Sequence, residues 1–91
     1  MTFSKTLHIN GLTYKIKAPS SREHKKYDVY LGDSYLLSFG DKRYQQYKDK
    51  LGYYKALDHG DDKRRILYNI RHRKDGNTPY YAGWWARKYL W

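Results

Sequence analysis

The residues best suited to chemistry lie close together in the second half of the chain. Asp58-His59, Asp61-Asp62, Arg64 and His72 bring carboxylates, imidazoles and a guanidinium within fifteen positions. Carboxylates and imidazoles are what metal-assisted phosphodiester hydrolysis uses to hold an ion and activate water. The spacing matches no HExxH, P-loop, GxSxG or EF-hand pattern. Asp61 or Asp62 has a simpler use as the cap of a helix that starts there. His59 suits closure of its loop over Tyr53 or Tyr54. No catalytic residue, metal ligand or cofactor is assigned on this basis, and the expectation is a protein that is not an enzyme.

A second chemistry is written more heavily over the same segment. Lys63-Arg64-Arg65 and Arg71-His72-Arg73-Lys74 bracket it. Set on a helix, Ile66, Leu67 and Ile70 share one side, while Arg64, Arg65, Tyr68 and His72 fall opposite, with Arg71 flanking. The expectation is an apolar stripe packed on a sheet and a basic face, with one tyrosine in it, turned to water. Lys and Arg neutralise phosphates and release condensed counterions. Arg adds bidentate phosphate geometry, and Tyr stacks on an exposed base. The candidate nucleic-acid-binding residues are Arg64, Arg65, Tyr68, Arg71, His72 and Arg73, together with Lys42 and Arg43. Lys48 and Lys50 add charge around Tyr44 and Tyr47, and Arg22, Lys25 and Lys26 precede Tyr27. No RNP-type stretch, zinc-knuckle spacing or GXXG clamp is present, and no clear helix-turn-helix, so contact would be directed to the backbone rather than to bases. The plainer alternative is a solvated helix face, with Asp61 and Arg65 as an ordinary i,i+4 pair.

Composition favours the first of these. The 91 residues hold 19 Lys and Arg against 9 Asp and Glu, a net charge of +10. Solubility alone asks for a magnitude of about 2–8 in a small domain. Residues 40–91 carry 13 of the basic residues and 6 of the acidic ones, so the excess lies mainly there. The absence of cysteine excludes a disulfide scaffold and a cysteine-ligated zinc site. No apolar run nears the roughly 20 residues that span a bilayer, and Met1-Thr2-Phe3-Ser4-Lys5 is not followed by a signal-peptide core. The expectation is an intracellular protein, not secreted and without a membrane partner. Mean hydropathy is low, but 12 tyrosines and 3 tryptophans are far too many aromatics for a disordered chain. They also exceed what so small a core hides, so several tyrosines must be exposed.

The elements that must position these residues form one domain, 1–91, of α+β class. Leu7-His8-Ile9 and Leu12 to Lys17 alternate apolar and polar residues around Asn10-Gly11, the strongest two-residue hairpin signal. A second hairpin pairs Tyr27 to Leu31 with Ser34 to Phe39 through Gly32-Asp33. Together they predict a small antiparallel sheet whose apolar face carries Leu12, Tyr14, Ile16, Val29, Leu31, Leu37 and Phe39. Asp41 is placed to cap a first helix with Tyr44, Tyr47 and Leu51 on one side, stopped at Gly52. Asp61 or Asp62 caps a second, running to about Lys74. An aromatic C-terminal segment follows, either a short helix after Gly83 or a strand. Large aromatics fill a thin core efficiently, so packing is the first role of Trp84, Trp85, Tyr89 and Trp91.

The order Phe39-Gly40, Tyr44, Tyr47, Asp58-His59, Asp61, Arg64-Arg65, Tyr68, Arg71-His72, Ala82-Gly83-Trp84-Trp85 and Tyr89-Leu90-Trp91 resembles a family of short, basic, uncharacterised proteins encoded by DNA viruses, including phages and large viruses of algae. The similarity covers about residues 25–91 and is closest in the block of His59, Asp61, Arg65, Tyr68, Arg71 and His72. It implies a viral source, and with it a place in the virion or in the host cell interior, but no activity. Three roles then compete. One is a nucleic-acid-binding protein making largely sequence-independent phosphate contacts, packaged with the genome. Another is a virion structural or assembly protein that docks through Arg87 to Trp91 on a neighbouring subunit, since Tyr, Trp and Arg are enriched at interface hot spots. The third is a host-directed inhibitor acting on an acidic protein site. Exposed sheet edges also leave a homo-oligomer open.

Overall fold

A computed structural model describes residues 2–91. Four strands form one antiparallel sheet in the order β1-β2-β3-β4, with β1 at Phe3–Ile9, β2 at Leu12–Ala18, β3 at Lys25–Leu31 and β4 at Ser34–Asp41. Two helices follow, α1 at Asp62–His72 and α2 at Ala82–Tyr89. The α+β class and the two hairpins are as the sequence indicated, and two helices follow them, of which only α1 lies where a definite helix was expected. Asn10 and Gly11 both take positive φ, +50° and +79°, as a type I′ turn requires. That turn fixes the β1–β2 register from Phe3↔Ala18 to Ile9↔Leu12.

The core is one sheet face covered by α2. Tyr14, Ile16, Ala18, Tyr27, Val29 and Phe39 are buried on the sheet side, and Trp85, Ala86 and Leu90 on the other. Aromatic rings join the layers. Tyr27 stacks on Phe39 at 5.2 Å, Phe39 on Trp85 at 6.0 Å, and Tyr14 meets Trp85 edge-on at 5.5 Å. The indole N–H of Trp85 donates to the Pro79 carbonyl at 2.8 Å, so the ring is buried without an orphaned donor. The packing role expected of the C-terminal aromatics is therefore met: Trp85 is fully enclosed, and Trp84, Tyr89 and Trp91 are half-buried against the same cluster. Leu90 belongs to the core and is closed to a neighbouring subunit. Phe39-Gly40 also has a structural reading. Gly40 sits at φ +76°, and a Cβ there would lie 2.9 Å from Leu90 Cδ1 and 3.0 Å from Lys26 Cδ.

Three sequence-based expectations fail, each for a local reason. Leu12 is 40% exposed rather than in the core. It lies beyond the stretch of β2 that pairs with β3, which spans only Tyr14 to Lys17. Leu31 and Leu37 are only half-buried, near a bulge where the register changes between Val29↔Leu37 and Tyr30↔Tyr35 and leaves Leu36 without a direct partner.

The predicted helix over 41–51 is absent. Asp41 ends β4, and its carboxylate turns back to accept from the Arg43 backbone N–H at 2.9 Å and from its guanidinium at 2.7 and 3.0 Å. The backbone of this segment finds its partners far away in sequence. Gln46 N–H donates to Leu57 O, Lys48 N–H to Leu90 O and Lys50 N–H to Tyr89 O. Buried side chains pin the rest. Asp49 accepts from Leu51 N–H at 2.9 Å, from Tyr54 N–H at 2.8 Å and from the Tyr27 hydroxyl. The second helix of the fold is instead supplied by the C-terminal aromatic segment, which resolves the choice between helix and strand left open there.

The third failure concerns α1. Asp61 caps it as predicted, accepting from Lys63 and Arg64 N–H at 3.0 and 3.2 Å. The stripe expected to face the sheet does not. Ile66, Leu67 and Ile70 are 53%, 45% and 55% exposed, and α1 has no fully buried residue. Its other side docks, through aromatic stacking on residues outside the sheet.

Candidate nucleic-acid interface

The inward side of α1 carries Arg65, Tyr68, Asn69 and His72. Tyr68 is the anchor. Its ring lies parallel to Trp91 at 4.1 Å and stacks on His72 at 4.2 Å. Trp91 in turn meets His59 at 5.2 Å, and His59 meets Tyr47 at 6.2 Å. Arg65 closes the column with its guanidinium 5.1 Å from the Tyr47 ring centre, while the Tyr47 hydroxyl donates to Asp62 at 2.8 Å. Flat rings and a flat cation can pack face to face with little apolar surface exposed at their edges. That is why the polar-looking side of α1 is the docked side. Burial raises the Tyr68 phenol pKa accordingly.

This orientation divides the candidate residues. Arg65, Tyr68 and His72 do not form the free basic face inferred from the helical wheel. His72 Nδ1 is 2.5 Å from Asp75, and its carbonyl accepts from Arg87, which also donates to Gly76 O. Arg87 thus ties α2 to the C-terminal end of α1, where a cation suits the helix dipole. Arg64, Arg71 and Arg73 remain exposed. Lys42 is exposed as well, whereas Arg43 is engaged by Asp41, whose carboxyl is held well below the usual carboxylate range chiefly by that hydrogen bond. Of the residues before Tyr27, Lys26 belongs to no surface patch. It lies in β3 rather than a loop and is 2% exposed, with its ammonium donating to Tyr44 O at 3.1 Å and to the Gln46 amide oxygen. Burial lowers its pKa against the pull of Asp49, Asp41 and Asp58.

The useful concavity lies between α1 and the segment after β4. Two adjoining hollows of about 300 Å³ each share Tyr44, Gln45, Tyr68 and Trp91 as walls. Arg64, Leu67 and Arg71 edge the outer one, and Lys26, Asp41 and Leu90 line the inner one. Arg64 donates to the Gln45 amide oxygen at 3.2 Å, which steadies its guanidinium over the rim. Tyr44 is 65% exposed, the most open large aromatic of the described residues. The groove therefore offers two arginines at its lip, an exposed phenol ring, the Tyr68–Trp91 stack and one neutral amide.

Arg64, Tyr68 and Arg71 were marked by the sequence and are brought together. Tyr44 was visible there only as an aromatic among basic residues. Gln45 carried no signal, and Trp91 was marked only for packing or for docking on a neighbouring subunit, because their place at the groove depends on the irregular path of residues 44–60.

The residues considered for phosphodiester hydrolysis are dispersed into structural roles. Asp58 accepts from the Gln46 amide at 2.5 Å and from Asp49 N–H at 2.7 Å. Asp61 caps α1, and Asp62 holds Tyr47. His59 Nδ1 accepts from Asp61 N–H at 2.9 Å, and burial lowers its pKa, with Arg64 adding to the shift. It closes the loop over Tyr47 and Trp91 rather than over Tyr53 or Tyr54. Among the described residues no three His, Asp or Glu side chains gather as a metal site. No described helix is long and apolar enough to cross a membrane. Comparison with protein-family models, with curated proteins and with solved structures gives no match to this chain.

Proposed function

We propose that the protein binds nucleic acid in the groove between Tyr44-Gln45 and α1, with contacts that are largely independent of sequence. The observation that carries this reading is the meeting of exposed Arg64 and Arg71 with Tyr44 and the Tyr68–Trp91 stack around one concavity. Guanidinium groups at a lip suit phosphates, and an open phenol ring suits an unpaired base. Lys42 and Arg73 extend the positive field on either side, and a net charge of +10 favours any polyanion at long range. Gln45 is the one neutral amide on the wall, so little base-edge readout is built in, which favours single strands over a reader of duplex sequence. In the setting implied by the resemblance to short viral proteins, this activity fits a protein that accompanies a packaged genome inside the virion or the host cell.

The test is a fluorescence titration of a single-stranded 30-mer, DNA and RNA, at 50 and 200 mM salt. The expected result is binding that weakens by on the order of tenfold or more across that range, as release of several counterions demands. Tyr44→Ala is expected to weaken it by about fivefold or more without altering the salt slope, since stacking contributes roughly 1–3 kcal/mol per base. No binding at 50 mM salt contradicts the proposal.

A further inference from the structure

The exposed stripe on α1 points to a second surface, which adjoins the nucleic-acid groove and shares Arg64, Leu67 and Arg71 with its rim. Ile66, Leu67 and Ile70 stand half-exposed on a helix whose opposite side is already docked. Three aliphatic side chains aligned on one helix face are normally spent on burial. The ends of the stripe are charged in a definite way. On a helix of 3.6 residues per turn, positions 63, 66, 67, 70 and 73 fall within about one third of the circumference. Lys63 therefore continues the stripe at one end and Arg73 at the other, roughly 15 Å apart, and both are exposed. One flank is basic, with Arg64 and Arg71, and the other carries Asp62 and Asn69.

We infer that this face docks an amphipathic helix of a partner protein whose apolar stripe ends in acidic residues. The charges select this occupant. Pairing α1 with a second copy antiparallel would set Lys63 of one chain against Arg73 of the other, and parallel pairing would set like against like. Either arrangement brings cations together across a +10 chain. A lipid surface is served poorly by cations in line with the apolar stripe and by a basic flank on one side only, because interfacial helices carry their charge around the polar face. An acidic helix satisfies all of these features. Its aliphatic side chains cover Ile66, Leu67 and Ile70, its terminal carboxylates meet Lys63 and Arg73, and one acidic flank lies along Arg64 and Arg71.

A labelled 16-residue helical peptide with a Leu/Ile stripe, Glu at both ends of it and Glu along one flank serves as the probe. Its counterpart has every Glu replaced by Lys. The full-length protein is expected to bind the acidic peptide at micromolar concentration and the basic one at least tenfold more weakly. Ile66→Ser with Ile70→Ser is expected to lose at least tenfold in peptide affinity, and Lys63→Glu with Arg73→Glu to do the same. The serine variant is expected to keep its binding to the 30-mer, so failure here and failure of the nucleic-acid reading are separable. Circular dichroism must show both variants folded, and a variant that unfolds is replaced by Ile66→Gln alone, for which a loss of at least threefold is expected. Undiminished peptide binding by the folded serine or glutamine variant would overturn the inference. So would its transfer to vesicles of phosphatidylserine and phosphatidylcholine with no affinity for the peptide, or stripe-dependent dimerisation in sedimentation at 100 μM protein.

Discussion

The two helices differ in what holds them. Helix α2 is fixed by depth: Trp85, Ala86 and Leu90 sink into the sheet face and meet Tyr14 and Phe39. Helix α1 is fixed by flatness: Tyr68, itself stacked on His72, lies face-on against Trp91, and the Arg65 guanidinium lies over Tyr47, with the aliphatic residues turned outward. An aliphatic stripe identifies a helix's apolar side, yet it does not by itself identify the docked side. In a chain this rich in tyrosine, stacked rings and guanidinium groups compete for that role, and at α1 they prevail.

Substitutions can press on this contrast, and the deepest should cost most. Trp85→Ala removes the ring that joins both layers and is expected to destabilise by about 3–5 kcal/mol in urea denaturation. Asp49→Ala orphans three donors, from Leu51, Tyr54 and Tyr27. Taken at the low end of roughly 1–3 kcal/mol for each unsatisfied group, the three donors give an expected loss of about 3 kcal/mol by the same measurement. Tyr68→Ala breaks a stack that is half-buried rather than enclosed, so about 1–2 kcal/mol is expected. Ile66→Ser with Ile70→Ser should stay within about 0.5 kcal/mol of wild type, as surface changes do. A loss of several kcal/mol there would show that α1 docks by its stripe after all.

Titration separates the regions from another side. Tyr14, Tyr27, Tyr54, Tyr68 and Tyr89 all have raised pKa values, in each case chiefly through burial. A raised phenol pKa gives stability that is complete below the unfolded value of about 10 and is lost as pH rises through the folded one. Thermal melts should therefore fall progressively above about pH 10. At the acid end Asp41, held low by Arg43, is joined by Asp28. Burial pulls its carboxyl upward, but hydrogen bonds from Ser20, Ser38 and Ser21 outweigh that and leave the pKa lowered. Its contribution is present above about pH 4 and lost as pH falls through the folded value. Asp28→Asn should make the acid limb shallower, leaving the part that Asp41 contributes, and leave the alkaline one unchanged.

The sheet was legible in the sequence because its signals are local. Asn10-Gly11 fixes one register, and period-2 alternation marks Tyr14, Ile16, Val29 and Phe39 as core. The cap at Asp61 and the length of α1 were legible for the same reason. The path of residues 41–60 was not, because Gln46, Asp49 and Asp58 replace a helix by bonds to distant backbone groups. The candidate site inherits that limit. Its arginines are written in a run that can be read directly, but Gln45 and Trp91 reach the groove only through the irregular segment and the C-terminal turn.

The most direct measurement asks whether charge acts at the groove or merely in sum. Arg64→Glu with Arg71→Glu is compared with Lys5→Glu with Lys15→Glu, which changes net charge equally at exposed sheet positions. Affinity for a single-stranded 30-mer is read at one salt concentration, with folding checked by circular dichroism. The groove pair is expected to lose at least tenfold more affinity than the sheet pair. Equal losses from both would contradict a localised nucleic-acid interface.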